Sequence, residues 1–334
     1  MKSASHSNIA AMILIFIWIG GSLAAALIFE VLNLVGFSTS LPTKVILPQI
    51  LFLLLPSLLY ILISGLNFKD TLRLHPLNFK SIVLVFGFGI FIQPLMMWIS
   101  SLGGLFFSNQ VNDMLDQMSQ IPLAIMILMI GITPAIFEEI PFRGILLSGY
   151  QELPIPKAAL LSGLFFGLLH MNFQQFLYAF LMGVFFAYLV EITGSIYASV
   201  VAHFTINTSQ VLLSQVAVWA TKQQAAENLA LDTIPSFGEK LLALVVMTPI
   251  AALFTPLAIF LVYLLAKNHQ KSWSSLFKIK NDIPSVTIES MAGENIMIEN
   301  APPIKMKTWP IYVSLIAFII FSVLVEIGTR FAMG

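Results

Sequence analysis

Residues 121–149 read IPLAIMILMIGITPAIFEEIPFRGILLSG, and this stretch establishes the class of protein. Its first 17 residues, 121–137, carry no charged side chain, and the three charged groups that follow are Glu138, Glu139 and Arg143. A helix that crosses a bilayer needs about 20 mostly apolar residues, so the stretch predicts a transmembrane helix. Ionisable groups inside such a helix are costly and usually mark a functional site or a specific ion pair.

The composition of the whole chain agrees with a membrane location. Of its 334 residues, 58% are apolar and 10% are charged, whereas charged residues make up about 25% of a typical soluble domain. The 16 basic and 16 acidic residues balance. These values argue against a soluble enzyme, a disordered chain and a nucleic-acid binder that relies on basic charge. The chain has no cysteine, which excludes disulfides, thiolate metal sites and a cysteine nucleophile.

Nine apolar segments are predicted to span the membrane. We therefore expect an all-α fold, a polytopic transmembrane helical bundle of about eight core helices plus one extra C-terminal span. The breaks between the fifth, sixth and seventh segments rest on Asn172 and on the pair Thr193-Gly194. The predicted spans are 9–35, 44–66, 81–106, 121–149, 157–171, 174–192, 194–216, 240–266 and 309–331.

The chain divides into three predicted regions. Residues 1–266 form a multi-span membrane domain, 267–307 a cytoplasmic linker and 308–334 a C-terminal transmembrane helix. A solvated linker is the preferred interpretation of 267–307. Short alternation at Val286–Ile288 and Ile296–Ile298 leaves a hairpin as the alternative. A further segment, 108–120, has the spacing of an interfacial amphipathic helix.

The distribution of Lys and Arg predicts the orientation. The first apolar run is too long for a signal peptide, so we expect a retained helix with a cytoplasmic N-terminus. Alternation from that end places eleven basic residues inside and four outside, as the positive-inside rule requires. The inner residues are Lys2, Lys69, Arg73, Lys80, Lys157, Lys267, Lys271, Lys278, Lys280, Lys305 and Lys307, and the outer ones are Lys44, Lys222, Lys240 and Arg330.

The charged cluster on the fourth span contains one acid more than a simple ion pair needs. Glu139 and Arg143 are four residues apart and share a helix face, so they are predicted to pair. Glu138 points about 100° away and is left without this partner. A surplus carboxylate suits a general base or acid. The alternative is a buried salt-bridge network with no chemistry.

Two histidine motifs follow on other spans. Phe166 and His170 share a helix face, and so do His203 and Asn207. Two hydrogen-bonding groups one turn apart can point at a single carbonyl oxygen, which an oxyanion hole requires. The alternatives are a satisfied core histidine and ordinary hydrogen bonding between helices, worth about 0.6–2 kcal/mol.

Familiar hydrolase signatures are missing from the chain. It contains no G-x-S-x-G and no H-E-x-x-H. A zinc site would have to use Glu138, His170 and His203, a His₂Glu set that is chemically reasonable, so zinc stays open as an alternative.

Taken together, the three motifs resemble the CPBP family of intramembrane proteases, which includes the CAAX prenyl proteases. The family pattern is E-E-x-x-x-R, then F-x-x-x-H, then H-x-x-x-N or D, and all three occur here in order between 138 and 207. The resemblance covers about 120–215, the expected catalytic core. It implies that Glu138, assisted by His170, activates a water and that His203 and Asn207 stabilise the oxyanion. Glu139 and Arg143 would support the structure, and no cofactor would be required.

The predicted function is therefore an intramembrane endopeptidase. Its partners would be the lipid bilayer and a membrane-associated protein or peptide substrate, with no nucleic acid. The short loops, and no recognisable organelle-targeting signal, suggest a multi-pass protein of a bacterial plasma membrane. A non-catalytic scaffold or immunity factor is the first alternative, and an ion-coupled transporter is the second.

Overall fold

The structure is a computed structural model that describes residues 3–108, 121–226, 236–278, 286–289, 295–298 and 306–333. Within these ranges the chain forms nine helices of 15 residues or more, and each coincides with a predicted span. They are α1 (Ala4–Leu34), α2 (Leu41–Ile63), α3 (Phe79–Gly103), α4 (Leu123–Leu146), α5 (Ile155–Leu169), α6 (Phe173–Thr193), α7 (Ile196–Ala226), α8 (Phe237–Asn268) and α9 (Trp309–Met333).

Seven of these helices are long and apolar enough to cross a membrane. The other two are α5 and α7. Helix α5 is apolar but has only 15 residues, and α7 is 31 residues long with several Gln, Ser and Thr residues in its second half. The polytopic helical bundle is therefore confirmed.

The breaks around α6 lie where the sequence predicted them. The Asn172 side chain accepts a hydrogen bond from the Gln175 backbone N–H at 2.9 Å and so caps the start of α6. Gly194 ends the helix with φ of +67°, a left-handed conformation that suits glycine. These two signals separate three consecutive apolar segments that otherwise have little polar sequence between them.

Helices α5 and α6 pack with their backbones almost in contact. A β-carbon on Gly183 would lie 2.6 Å from the α-carbon of Gly163, too close for any side chain at that position. Small residues allow such close approach between membrane helices. This packing fixes the end of α5, with Phe166 and the following His170, against the centre of the bundle.

The last helix, α9, is hydrogen-bonded to the bundle near both ends. At its start, the Asn8 amide donates to the Lys307 carbonyl at 2.8 Å. Near its other end, the Glu326 carboxylate accepts hydrogen bonds from the Ser108 backbone and hydroxyl. The predicted C-terminal helix is thus attached to α1 and to the segment after α3.

The segment before α9 differs from the preferred prediction. Residues Val286–Glu289 (β1) and Asn295–Ile298 (β2) pair as an antiparallel hairpin, with Val286 opposite Ile298. The less favoured alternative is therefore the one observed, and this hairpin is the exception to an otherwise helical architecture in the described residues. Of the predicted amphipathic helix at 108–120, all but residue 108 lies outside the described residues.

Candidate active site

The ion pair predicted on α4 forms in the centre of the bundle. Arg143 Nη1 donates to Glu139 Oε1 at 3.2 Å, and neither side chain has any exposed surface. Arg143 Nη2 also donates to the Gly183 carbonyl of α6 at 3.1 Å. A buried charge needs a partner and further hydrogen bonds to offset its desolvation, and both are present for Arg143.

Two aromatic rings complete the surroundings of Arg143. Its guanidinium carbon lies 4.3 Å from the centre of the Phe166 ring and 5.2 Å from that of Phe186. Both distances are within the range of cation–π attraction. Phe166 also contacts His170 and His203, with ring centres 5.2 and 5.8 Å away. This ring therefore packs against members of all three sequence motifs.

His203 of α7 lies between the two acids of α4. Its Nδ1 is 2.9 Å from Glu139 Oε1, so this nitrogen carries the proton and donates it to the carboxylate. Its Nε2 is 3.9 Å from Glu138 Oε2, beyond hydrogen-bond range but close enough for an ionic interaction when the ring is protonated. Glu139 thus orients the imidazole, and the other ring nitrogen faces Glu138.

Glu138 differs from its neighbour in being partly exposed. Its Oε2 atom is buried and has no hydrogen-bond partner among the described residues. Its side chain keeps 14% of its surface exposed, whereas that of Glu139 has none. The separation of the two acids expected from helix geometry is therefore observed, although His203 is a second neighbour that the spacing did not predict.

His170 stands just after α5. Its Nδ1 lies 2.9 Å from the Phe166 backbone carbonyl, which can only accept, so Nδ1 carries the proton. In the neutral ring, Nε2 is then left as the acceptor. The His170 side chain is thereby set up to receive a proton or to accept a hydrogen bond.

Asn207 lies one turn after His203 on α7. Its amide nitrogen donates to the Ile130 carbonyl of α4 at 2.9 Å. An amide nitrogen has two hydrogens, so one is left for another acceptor. The contact also fixes α7 against α4, a role that the sequence did not indicate.

All four predicted catalytic residues line one internal cavity of about 430 Å³. Glu138, His170, His203 and Asn207 come from the ends or middles of three helices and meet there. The cavity walls also include polar Gln175, Tyr178 and Gln210, together with apolar side chains. A concave site with a few converging polar groups is typical of a binding or catalytic site.

The backbone of α4 is unusual on both sides of the acids. Residues Ile127–Ile132 and Ile140–Leu146 form wider π-helical turns, with Pro134 and Pro141 near them. A proline lacks the backbone donor that a regular helix uses, so the helix relaxes into another geometry. Wide turns of this kind are frequent at functional sites.

The residues proposed as zinc ligands do not form a metal-binding group. Among the described residues, no set of three or more His, Asp and Glu side chains is arranged to hold a metal ion. In this arrangement the donor set of Glu138, His170 and His203 does not fit a zinc site.

The sequence did not predict that three residues of the first two helices line the cavity. Trp18 of α1, with Val45 and Gln49 of α2, forms part of the wall. None of these residues is ionisable, so none belongs to the charged clusters that mark the three motifs. Gln49 could have been singled out from the sequence, because an uncharged polar side chain inside an apolar span needs a hydrogen-bond partner.

Part of the chain is similar to a known protein family and to a known relative. Residues 120–209 match the family model described as "Type II CAAX prenyl endopeptidase Rce1-like". The chain is also similar to the protein named "Putative membrane peptidase YdiL" of Bacillus subtilis (strain 168), with 33% identity over 107 residues. That alignment covers 32% of this chain and 43% of YdiL, so less than half of the relative is matched. No solved structure matches the chain.

The matched region contains the cavity residues of α4 to α7. Glu138, His170, His203 and Asn207 all fall inside 120–209. The match supports an intramembrane protease at the level of the family. Residues 120–209 are therefore similar to the Rce1-like family, in agreement with the resemblance drawn from the three motifs.

Proposed function

We propose that the protein is an intramembrane endopeptidase that hydrolyses a peptide bond in a membrane-associated protein or peptide. The observation that carries the proposal is the single cavity into which Glu138, His170, His203 and Asn207 all project. Peptide hydrolysis needs a base for the attacking water and donors for the oxyanion, and this set offers both. The family of the segment 120–209 is consistent with that chemistry.

Glu138 would act as the general base. Its Oε2 is a buried acceptor with no protein hydrogen bond in the described residues, so its lone pairs are available to a water. His170 would assist, because Nε2 is its free acceptor once Nδ1 has donated to Phe166. After the attack, the proton taken up by Glu138 would pass to the leaving amine.

His203 and Asn207 would stabilise the tetrahedral intermediate. A protonated His203 has an Nε2–H that faces the cavity, and Asn207 retains one amide hydrogen besides the one donated to Ile130. With His203 protonated, the two carboxylates are balanced by Arg143 and the imidazolium. Donors that are oriented before reaction are worth about 10²–10³-fold each in rate.

Glu139 and Arg143 would act as positioning residues. Glu139 holds the His203 ring through Nδ1, and Arg143 holds Glu139 while it bonds to α6. Neither needs to touch substrate. Together they would keep the imidazole in the orientation and protonation that the reaction requires.

The experiment is hydrolysis of a pooled library of 20-residue peptides by the protein in liposomes, in water enriched in ¹⁸O. We expect new peptide termini, with one ¹⁸O atom in each new carboxylate, and the same rate with and without a chelator. Failure to produce any new terminus would overturn the proposal. Loss of activity on chelation would overturn the metal-independent mechanism alone.

We also propose that the N-terminus is cytoplasmic and that the membrane is a bacterial plasma membrane. The eleven basic residues at one end of the predicted topology support this orientation. It places the first residues of α2 and α6 at the outer surface, and Gln49 and Gln175 lie within about two turns of those ends. The catalytic cavity would then be reached from the outer half of the bilayer.

The lack of native cysteine makes this orientation testable. In intact cells, Gln175→Cys is expected to react with a membrane-impermeant thiol reagent, whereas Lys271→Cys is expected to react only after the cells are opened. The reverse pattern would contradict the proposed orientation.

A further inference from the structure

A second cavity lies between α1 and α2, outside the region of family similarity. This α1–α2 groove has a volume of about 490 Å³. Its walls include Trp18, Ser22, Ala26, Glu30, Lys44 and Gln49. The two helices touch at Gly21, where a β-carbon would overlap the Phe52 ring, and the groove lies on one side of that contact.

The groove lies next to the catalytic cavity. Trp18, Val45 and Gln49 line both of them, so the two spaces share a wall. From Ser22 to Glu30 the groove follows α1 for about 12 Å, given the helical rise per residue. An extended peptide of about four residues has the same length.

Two residues of the groove wall carry a buried polar atom without a partner. Gln49 Oε1 and Ser22 Oγ make no hydrogen bond to any described residue, and the Gln49 side chain belongs to a residue that is only 8% exposed. A buried acceptor without a donor costs about 1–3 kcal/mol. The backbone N–H of an extended peptide supplies such a donor, whereas the acyl chain of a lipid does not.

We propose that the α1–α2 groove binds about four residues of the substrate in an extended conformation, next to the bond that is cleaved. A backbone N–H of the substrate donates to Gln49 Oε1, and the apolar walls pack against its side chains. Glu30 and Lys44, at the far end of the groove, face the polar residues that leave the membrane. This proposal rests on the proposed function and adds to it how the substrate is held.

Photocross-linking tests the occupancy of the groove. A benzophenone amino acid replaces either Ala26, which lines the groove, or Ala24, which is exposed on another face of α1. Both proteins carry Glu138→Gln and are mixed in liposomes with the 20-residue peptide library. We expect peptide adducts at position 26 at least tenfold above those at position 24. Equal yields, or adducts with lipid alone at position 26, would overturn the proposal.

Kinetics separate the groove from the catalytic step. In the otherwise unaltered protein, Ala26→Trp fills the groove and is expected to raise KM for the best library peptide about tenfold. The kcat of a shortened peptide that ends in the catalytic cavity is expected to stay unchanged. Ala24→Trp is the matched control and should alter neither value.

The two proposals can fail separately. If Ala26→Trp has the same KM as Ala24→Trp while Glu138→Gln is inactive, the groove is not the binding site and the protease proposal stands. If Glu138→Gln cleaves the library as fast as the unaltered protein, the proposed function itself fails.

Discussion

Two Glu–Arg pairs with the same spacing lie in contrasting environments, one buried and one partly exposed to solvent. Glu139 and Arg143 lie on α4 with no exposed surface, and Glu326 and Arg330 lie on α9 with the arginine side chain 67% exposed. Both pairs have four-residue spacing and similar distances, 3.2 and 2.9 Å. Spacing therefore predicts that a pair forms, but it does not predict what the pair does.

The neighbours of each pair account for the difference. Around Glu139 and Arg143 lie a second acid and a histidine, which line the cavity, and the aromatic rings of Phe166 and Phe186. Around Glu326 lies Ser108, and Arg330 also donates to the Phe106 carbonyl. The α9 pair acts as a clamp on the segment after α3. Glu326 thus makes a specific contact within the protein.

The largest difference between the pairs is expected in stability. Arg143→Met leaves Glu139 buried without its guanidinium partner, which should lower the free energy of unfolding by about 3–5 kcal/mol. Arg330→Met removes a solvent-exposed ion pair and should cost about 0–1 kcal/mol. Thermal unfolding of the two variants in detergent would measure this, and equal losses would refute the contrast.

The His203→Phe variant tests whether the histidine that is held by the buried Glu139–Arg143 pair contributes to catalysis. The new ring can pack between Phe166 and Phe186 but cannot donate to Glu139 Oε1. We expect peptide cleavage to fall about 10²–10³-fold because an oxyanion donor is lost. The free energy of unfolding should fall by about 1–3 kcal/mol because Glu139 loses a buried hydrogen bond. Activity within threefold of the unaltered protein would remove His203 from the mechanism.

Asn207→Ala tests the second donor in the cavity. It should lower kcat by about 10²–10³-fold. The change in KM should be small, because the proposed bond forms as the oxyanion develops. A change confined to KM would show that Asn207 binds substrate and does not stabilise the intermediate.

The smallest effect on stability and activity together is expected from weakening the contact between Ser108 and Glu326 of α9. Ser108→Ala removes the hydroxyl hydrogen bond to Glu326, made at 2.8 Å, and leaves the backbone one in place. Loss of one such bond to a charged group costs about 1.5–3 kcal/mol at most, and partial exposure reduces this to about 1 kcal/mol. Cleavage activity should not change. A large loss of activity would mean that α9 is coupled to the cavity.

Much of the architecture could be predicted from the chain itself. All nine helices follow from runs of apolar residues, because a bilayer demands length and hydrophobicity more than any particular side chain. Local capping signals at Asn172 and Gly194 then divided the apolar stretch between α5 and α7. The hairpin of β1 and β2 was the less favoured alternative because short alternation is a weak signal.

The cavity was only partly predictable. Spacing within a helix identified the motif residues and separated Glu138 from Glu139. Spacing could not show that His203 is hydrogen-bonded to Glu139, since the two residues are 64 positions apart in sequence and lie on different helices. Nor could it show that Trp18 and Gln49 line the cavity, because the packing of α1 and α2 is not encoded in any local pattern.

The central claim is that the spare acid of α4 is the base of a proteolytic reaction. Its most direct measurement compares Glu138→Gln with Glu326→Gln for cleavage of the peptide library in liposomes. Glu138→Gln should lower kcat by about 10²–10⁴-fold, the usual contribution of a general base, while Glu326→Gln stays within twofold of the unaltered protein. Full activity of a well-folded Glu138→Gln protein would contradict the account.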